Sequence, residues 1–589
     1  EEHLLPRLNG FEFMMAPYAV AHLKLDMVLA QTGYKARQDK RLRIFLTNSL
    51  EECDHDTGTL FAQWLAQEAN EANLVKRDTP VMVMIGNPPY SVSSSNKSAW
   101  IQELSETYKK NLNEKNIQPL SDDYIKFIRL GHYYVEKNGE GILAYISNNS
   151  FIDGIIHRQM RKALMETFDE IYILDLHGNT RKKETAFDGG KDENVFDIMQ
   201  GVSINIFVKK KQGVILSEAR KGEVEGFLAR VYHYELFGKR FEKYAFLAKT
   251  SFSDIPWKEL SPQAPQYFFV PKDFSVQIEY EKGFKIDELM NTFAKGIVTQ
   301  RDEASIAFTQ EECNILKKDF LNLNHSEIQS KYNFKDSRDW KISFAKEDLS
   351  KKTVLLTTID YRPFDLRFAN YTGNSKGIMS YPRHSLMRNL LNVSNCALIA
   401  NKTIKSEDIT QYFVCRNIVD SHILETMNAT ANVFPLYLYP TEGEEKLGET
   451  RKPNLDETIW RKIDACLDSS TPFPSASSGN YAQNDNSHIT TPEQIFDYIY
   501  GVLHTPSYRE KYKEFLKIDF PRIPFPENKE EFERIVSIGN KLRKLHLMEE
   551  IPPQATSFDI EGDNAVSEIR FEKGKVYINK TQYFANVPE

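Results

Sequence analysis

Residues 81–96 read VMVMIGNPPYSVSSSN, and the fold turns on how the first half of that stretch ends. Val81 to Ile85 form an unbroken apolar run, the pattern of a short strand covered on both faces as in a parallel sheet. Two prolines then stop it. Neither can donate to a ladder, and Pro88 confines Asn87 to extended backbone, so the Asn87 amide is held at the carboxyl end of the strand with Tyr90 just beyond. In open α/β sheets that edge is where ligands bind.

Working outward, the same rhythm repeats on both sides. LNGFEF (8–13) reads as a strand, Pro17 to Ala30 as a helix with Ala19, Leu23, Met27 and Ala30 at helical spacing, RLRIFLTNSL (41–50) as a strand and Leu60 to Val75 as a helix. Downstream come helical segments near 97–112 and 121–137, a strand at 141–147, a helix near 153–167, a strand at 170–178 and an alternating strand at 202–210. Strand, helix and strand in succession predict an α/β fold with parallel strands and crossover helices. Three strand tips carry polar groups: Glu12, Asn48 and Asn87.

At 589 residues the chain should hold two to four domains. Its 41% hydrophobic and 27% charged content is that of a soluble chain with enough apolar residues for real cores. No apolar run reaches the length of a membrane span. The five cysteines, Cys53, Cys313, Cys396, Cys415 and Cys466, are scattered and never form a CxxC pair, which fits a reducing cytosol and predicts no metal site. A net charge of −8 excludes a uniformly basic nucleic-acid binder and leaves room for a local basic cleft.

The tetrapeptide Asn87-Pro88-Pro89-Tyr90 in this setting resembles the motif of γ-class adenine-N6 DNA methyltransferases. LLPRLNGFEFMMAPYAVAHLKL, RLRIFLTNSLEE and NVFDIMQGVSINIF further resemble the methyltransferase portion of type ISP restriction-modification enzymes. In those single polypeptides, nuclease and helicase-like modules precede a methyltransferase and a target-recognition domain. The resemblance implies a Rossmann-like sheet, S-adenosylmethionine as cofactor, double-stranded DNA with a specific recognition sequence as partner, upstream nuclease and helicase modules, and the bacterial cytoplasm as location. It also implies that Glu12 holds the cofactor ribose, Phe13 lies against its adenine, Asn48 and Ser49 lie near the adenine ring, and Asn87 borders both cofactor and target. Many relatives carry Asp where this chain has Asn48. The glycine-rich loop that should precede Glu12 is absent, and Gly189 and Gly190 do not replace it. The expectation is therefore a sheet without its first strand and loop, with both in an upstream stretch.

The chemistry suits the tetrapeptide. An adenine amine is a poor nucleophile because its lone pair is delocalised into the ring, and acceptors aimed at its two hydrogens favour the form in which it is not. The Asn87 oxygen and the Pro88 carbonyl can do so, stabilising developing positive charge on rigid backbone. A flipped base needs stacking partners. Tyr90 is one, and Phe207 is the expected second, with Phe196 the alternative. SVSSSN (91–96) and RKK (181–183) are candidate nucleotide contacts.

The resemblance, with a compositional break near 467–491, implies a division into domains. Residues 1–211 form the expected methyltransferase domain, 212–466 a mixed α+β target-recognition domain, 467–491 a linker rich in Ser, Asn and Pro, and 492–589 a helical part of the recognition lobe. GIVTQRD (296–302) resembles the start of such recognition domains. DYRPFDLRF (360–368) and SYPRHSLMR (380–388) offer Arg362, Arg367, Arg383 and Arg388 to bases or phosphates. Thr491 with Gln494 forms a capping box. Two alternatives stand beside this reading: an RNA or protein-glutamine methyltransferase using the same tetrapeptide, and an inactive DNA-binding module. No P-loop is present, so restriction is not expected of this chain alone.

Overall fold

The structure is a computed structural model that describes residues 4–588 apart from 36–40, 53–61, 91–93, 115, 181–183, 185, 187–188, 212–227, 352–353, 405–408, 425–429, 442–449, 469–487, 552 and 554–555. For 62–68 the backbone alone is described. Half of the 91–96 loop, the basic stretch 181–183, Cys53 and most of the connector therefore lie outside the described residues. The chain divides into two compact units, Glu1–Lys272 and Asp273–Glu589.

The first unit is mixed α/β. Strands β1 (Gly10–Glu12) and β2 (Ile44–Leu46) form a parallel pair, flanked by helices α1 (Met15–Gln31) and α2 (Ala62–Asp78). The strands β3 (Val83–Gly86), β4 (Gly141–Asn148), β5 (Glu170–Asp175), β6 (Val202–Lys209), β7 (Arg230–Glu235) and β8 (Lys258–Leu260) form a six-stranded sheet in the order β3-β4-β6-β5-β7-β8. Its pairing is mixed. β3 with β4 and β5 with β7 are parallel, while β6 is antiparallel to both β4 and β5.

Between these strands run α3 (Ala99–Ser105), α4 (Asp123–Asn138), α5 (Ser150–Asp153) and α6 (Arg158–Thr167). Asp122 caps α4 by accepting from the Tyr124 amide, and Gly139 in left-handed backbone ends it. Ile125, Ile128 and Val135 bury one face of α4 in a core shared with Leu143 and Tyr145 of β4. Contact is so close at Gly131 that a Cβ would sit 2.4 Å from Leu143 Cδ1, so any larger residue would push the buried Leu143 side chain aside.

β3 corrects one expectation. Its run was read as covered on both faces, yet Val83 and Ile85 are 59% and 83% exposed, while Val81 and Met84 pack against the core. The reason is position: β3 is the sheet edge and pairs with β4 alone among the described residues.

The second unit carries two four-stranded sheets. One orders Ala294–Lys295, Asn432–Pro435, Ala397–Ala400 and Tyr412–Cys415, all antiparallel. The other orders Ile306–Ala307, Asp365–Tyr371, Leu355–Arg362 and Ile418–Val419. Helices Pro492–His504 and Lys529–His546 pack together, and the Thr491–Gln494 capping box forms as the sequence indicates, with Thr491 Oγ accepting from the Gln494 amide at 3.2 Å. Buried Ile495, Tyr498, Ile499, Val502 and Leu503 make the apolar face. No described helix is long and apolar enough to cross a membrane.

Candidate functional site

The tetrapeptide leaves the carboxyl end of β3 with Asn87 exposed, Pro88 buried and Tyr90 half-buried. The Tyr90 hydroxyl donates to Asn87 Oδ1 at 3.2 Å. Burial pushes the Tyr90 phenol up to about 12, so it stays protonated and a donor near neutral pH. The ring meets Tyr124 edge-on at 6.5 Å and rests on a cluster formed by Leu174, Leu176, Val195 and Val202.

Phe196 packs against that same cluster and remains half-buried. Phe207 does not join them. It is fully buried in β6 with Phe168 at 5.3 Å, a core ring with no surface to offer a base, contrary to the expectation that it would be exposed beside Tyr90. Asn194 fixes the Phe196 segment by donating to the carbonyls of Gly178 and Gln200 and accepting from the Phe196 amide.

The loop after β5 is clamped by helix α7 (Arg240–Lys249), which sequence reasoning missed. Lys243 and Asp192, both fully buried, pair at 2.9 Å, and Lys243 also donates to the carbonyls of Leu176 and Glu193 at 2.7 Å. Asp192 accepts from the amides of Gly178 and Gly238. Arg240 donates to the carbonyls of Asn194 and Phe196. Spacing was the available signal, since Arg240, Lys243 and Tyr244 fall on one helical face. His177 lies in the same loop, stacked on Phe237 at 3.8 Å. Burial disfavours its charge, but Asp175, Glu184 and Glu235 outweigh that and push the imidazole up to about 10.

Glu12 and Asn48 come together at the carboxyl ends of the parallel pair, where the Thr47 amide donates to the Glu12 carbonyl. Glu12 Oε1 accepts from the Met14 amide at 2.9 Å, Oε2 has no hydrogen bond among the described residues, and the adjacent Phe13 is 71% exposed. Asn48 is engaged within the protein. Its amide nitrogen donates to Glu51 and Asn96, and its oxygen accepts from the Leu50 amide. Ser49 beside it is half-buried. Asn96 continues the network to buried Asp123, which also accepts from Ser94, and Lys126 donates to Ser94 at 2.7 Å. The segment after the tetrapeptide is thus tied both to the β2 tip and to α4.

In the second unit Arg362 and Arg367 are held by their own chain: Arg362 pairs with Asp420 at 3.0 Å and Arg367 with Asp365 at 2.8 Å. Arg383 stands in left-handed backbone with its guanidinium over Tyr381, and Arg388 is half-buried.

Residues 288–589 match the family described as the Type ISP C-terminal specificity domain, and residues 9–181 match the Eco57I restriction-modification methylase. A comparison with curated proteins gives no match. The fold is shared with solved structures. These include the ATP-dependent Type ISP restriction-modification enzyme LlaBIII bound to DNA, at 19% identity and a TM-score of 0.71 over 99% of this chain and 38% of that one. A cryo-EM DrdV–DNA complex aligns at 22% identity and 0.69, over 99% and 57%. A nuclease-deletion mutant of the Type ISP enzyme LlaGI with a DNA substrate mimic aligns at 20% and 0.68, over 99% and 45%. The chain therefore spans less than two thirds of the length of each. Because the specificity-domain match covers more than half of its residues, the chain belongs to the Type ISP specificity-domain family, and the segment 9–181 ahead of that domain is similar to a restriction-modification methylase.

Proposed function

We propose that this chain is the methyltransferase and target-recognition portion of a restriction-modification enzyme that methylates the N6 amine of a flipped adenine within a specific duplex sequence. Asn87 carries the reading: an exposed amide on proline-stiffened backbone at the carboxyl end of β3, beside Tyr90 and with Phe196 on the same apolar floor. Asn87 Oδ1 and the Pro88 carbonyl accept the two amine hydrogens, and Tyr90 and Phe196 supply ring faces for the base. The donor is S-adenosylmethionine, which supplies an electrophilic methyl group. The free Glu12 Oε2 and the open ring of Phe13 fit a ribose and an adenine, while Asn48 acts as a strut between β2 and the 94–96 segment rather than as a direct adenine contact.

The finer fold reading is a Rossmann-like sheet completed by a further strand and glycine loop. Its support is the open edge of β3, with Val83 and Ile85 exposed, and the separation of the β1–β2 pair from the six-stranded sheet. Duplex DNA and the nuclease and helicase modules of the same polypeptide are the partners, in the bacterial cytoplasm. The test is transfer of labelled methyl from S-adenosylmethionine to duplex DNA by the polypeptide that carries this chain. Label recovered as N6-methyladenine, and lost in Asn87→Ala, supports the reading. Label in RNA or in a protein glutamine would replace it with the alternative substrate class.

A further inference from the structure

The second unit contains a cleft of about 530 Å³ lined by residues 298–303 and 420–422. Its floor is rigid. The Ile297 amide donates to the Val419 carbonyl and the Ser421 amide to the Ile297 carbonyl, both at 2.8 Å, while Val298 and Tyr381 exchange amide–carbonyl bonds at 3.0 and 2.9 Å. Gln300 then takes left-handed backbone, φ +62°, which turns the chain out of the ladder and lifts residues 300–303 along the rim.

The groups on that rim sort into two sets. Asp302 and Asp420 belong to the wall. Asp302 accepts from the Thr299 hydroxyl and from the Tyr361 hydroxyl at 2.7 Å, and Asp420 accepts from Arg362 and from the His422 amide. Tyr361 is itself packed under two guanidiniums, those of Arg362 at 3.9 Å and Arg367 at 4.1 Å. Glu303 is different. It is exposed and has no hydrogen bond or ion pair among the described residues, and the side-chain nitrogen of neighbouring Gln300 has none either. A rigid wall with unspent acceptors and donors at its lip is the arrangement of a reading site.

Charge decides what is read. The cleft lining holds three carboxylates, Asp302, Glu303 and Asp420, beside Arg301 and His422; Arg362 offsets Asp420 and two hydroxyls engage Asp302, so the unpaired charge at the lip is that of Glu303, which disfavours a phosphate there. A carboxylate instead accepts from the exocyclic amine of cytosine or adenine, and a glutamine amide pairs with adenine in the major groove. Resting on the target-recognition role proposed above, we infer that this cleft reads a base-pair edge of the recognition sequence, with Glu303 and Gln300 the specificity-determining residues for one A·T or C·G position. The DYRPFDLRF hairpin is then a buttress. Its Arg362 and Arg367 hold the wall and do not contact bases.

The test uses the 589-residue chain, wild type, Glu303→Ala and Gln300→Ala. Wild-type protein selects duplexes from a randomised double-stranded oligonucleotide pool. Fluorescence anisotropy then measures affinity for the selected duplex and for each single-base-pair variant of it. The expected result is that Glu303→Ala loses about tenfold of its discrimination at a single A·T or C·G position, with other positions and non-specific binding unchanged. Gln300→Ala should weaken the same position. Both side chains are exposed, so thermal unfolding should match wild type. Undiminished discrimination at every position in both variants overturns the inference alone, as does a uniform loss of affinity across all duplexes. Failure of the wild type to enrich any sequence overturns the target-recognition reading and the inference with it.

Discussion

Replacing Lys243 with Met should loosen the loop that presents Phe196 without disturbing the strands on either side. The ammonium is fully buried, and three groups depend on it: the Asp192 carboxylate and the carbonyls of Leu176 and Glu193. Methionine matches the aliphatic stem and removes the charge. Asp192 keeps two backbone donors, Gly178 and Gly238, which soften but do not cancel the cost of an uncompensated buried carboxylate. Breaking a buried pair from one side costs about 3–5 kcal/mol, and the retained donors argue for the lower end. At tenfold per 1.4 kcal/mol, exchange of the Gly178 and Gly238 amides should accelerate by about 10²- to 10³-fold in hydrogen-exchange mass spectrometry. Amides in β4 and β6 should be unaffected. Adding Asp192→Asn, which removes the stranded charge, should recover part of the loss. An acceleration below about tenfold in the single variant would refute the view that this pair clamps the loop.

Tyr90→Phe removes only the 3.2 Å bond to Asn87 Oδ1, so methylation should stay within about fivefold of wild type, whereas Tyr90→Ala should lose the stacking worth about 1–3 kcal/mol. Equal 2-aminopurine flipping signals for Tyr90→Ala and wild type would remove the stacking role. His177 titrates near 10 in the folded protein against about 6.5 unfolded, so its stabilisation is full below about pH 6.5 and fades as pH rises through 10. Urea midpoints of wild type should fall over that window while those of His177→Asn fall less, and parallel declines would contradict the assignment. Calorimetry with S-adenosylmethionine should show weak binding by the 589 residues and at least about tenfold tighter binding once the proposed further strand and glycine loop are supplied, because the sulfonium and carboxylate then gain charged hydrogen bonds. Micromolar binding by the 589 residues alone would show that the cofactor site is already complete.

The parts of this fold that were legible are those written in local chemistry. Paired prolines after an apolar run placed Asn87 at a strand tip, helical spacing located α1 and α4, and Thr491 with Gln494 marked a helix start. What was not legible depends on partners distant in the chain. An apolar run looks the same at a sheet edge as at its centre, so the exposure of Val83 and Ile85 was invisible. Phe207 was misplaced because β6 alternates, and the face bearing Ser203 and Asn205 resembles a polar, open one. Those side chains are in fact buried, with the Asn205 amide donating to the Tyr145 carbonyl, Ser147 Oγ and the Ser203 carbonyl. Nothing local marks Lys243 either, because its carboxylate partner lies 51 positions away. The wall of the second unit's cleft likewise assembles residues from three separate stretches, near 300, 361 and 420.

The most direct test of the account is base-modification sequencing of DNA from cells producing the polypeptide that carries this chain, compared with its Asn87→Ala variant. The expected result is N6-methyladenine at one recurrent sequence in the first and a fall of at least about 10² in its rate of appearance in the second, the scale of losing one preorganised acceptor. Genomes without modified adenine at any recurrent sequence, or equal modification by Asn87→Ala, would contradict the claim that this strand tip holds the target amine.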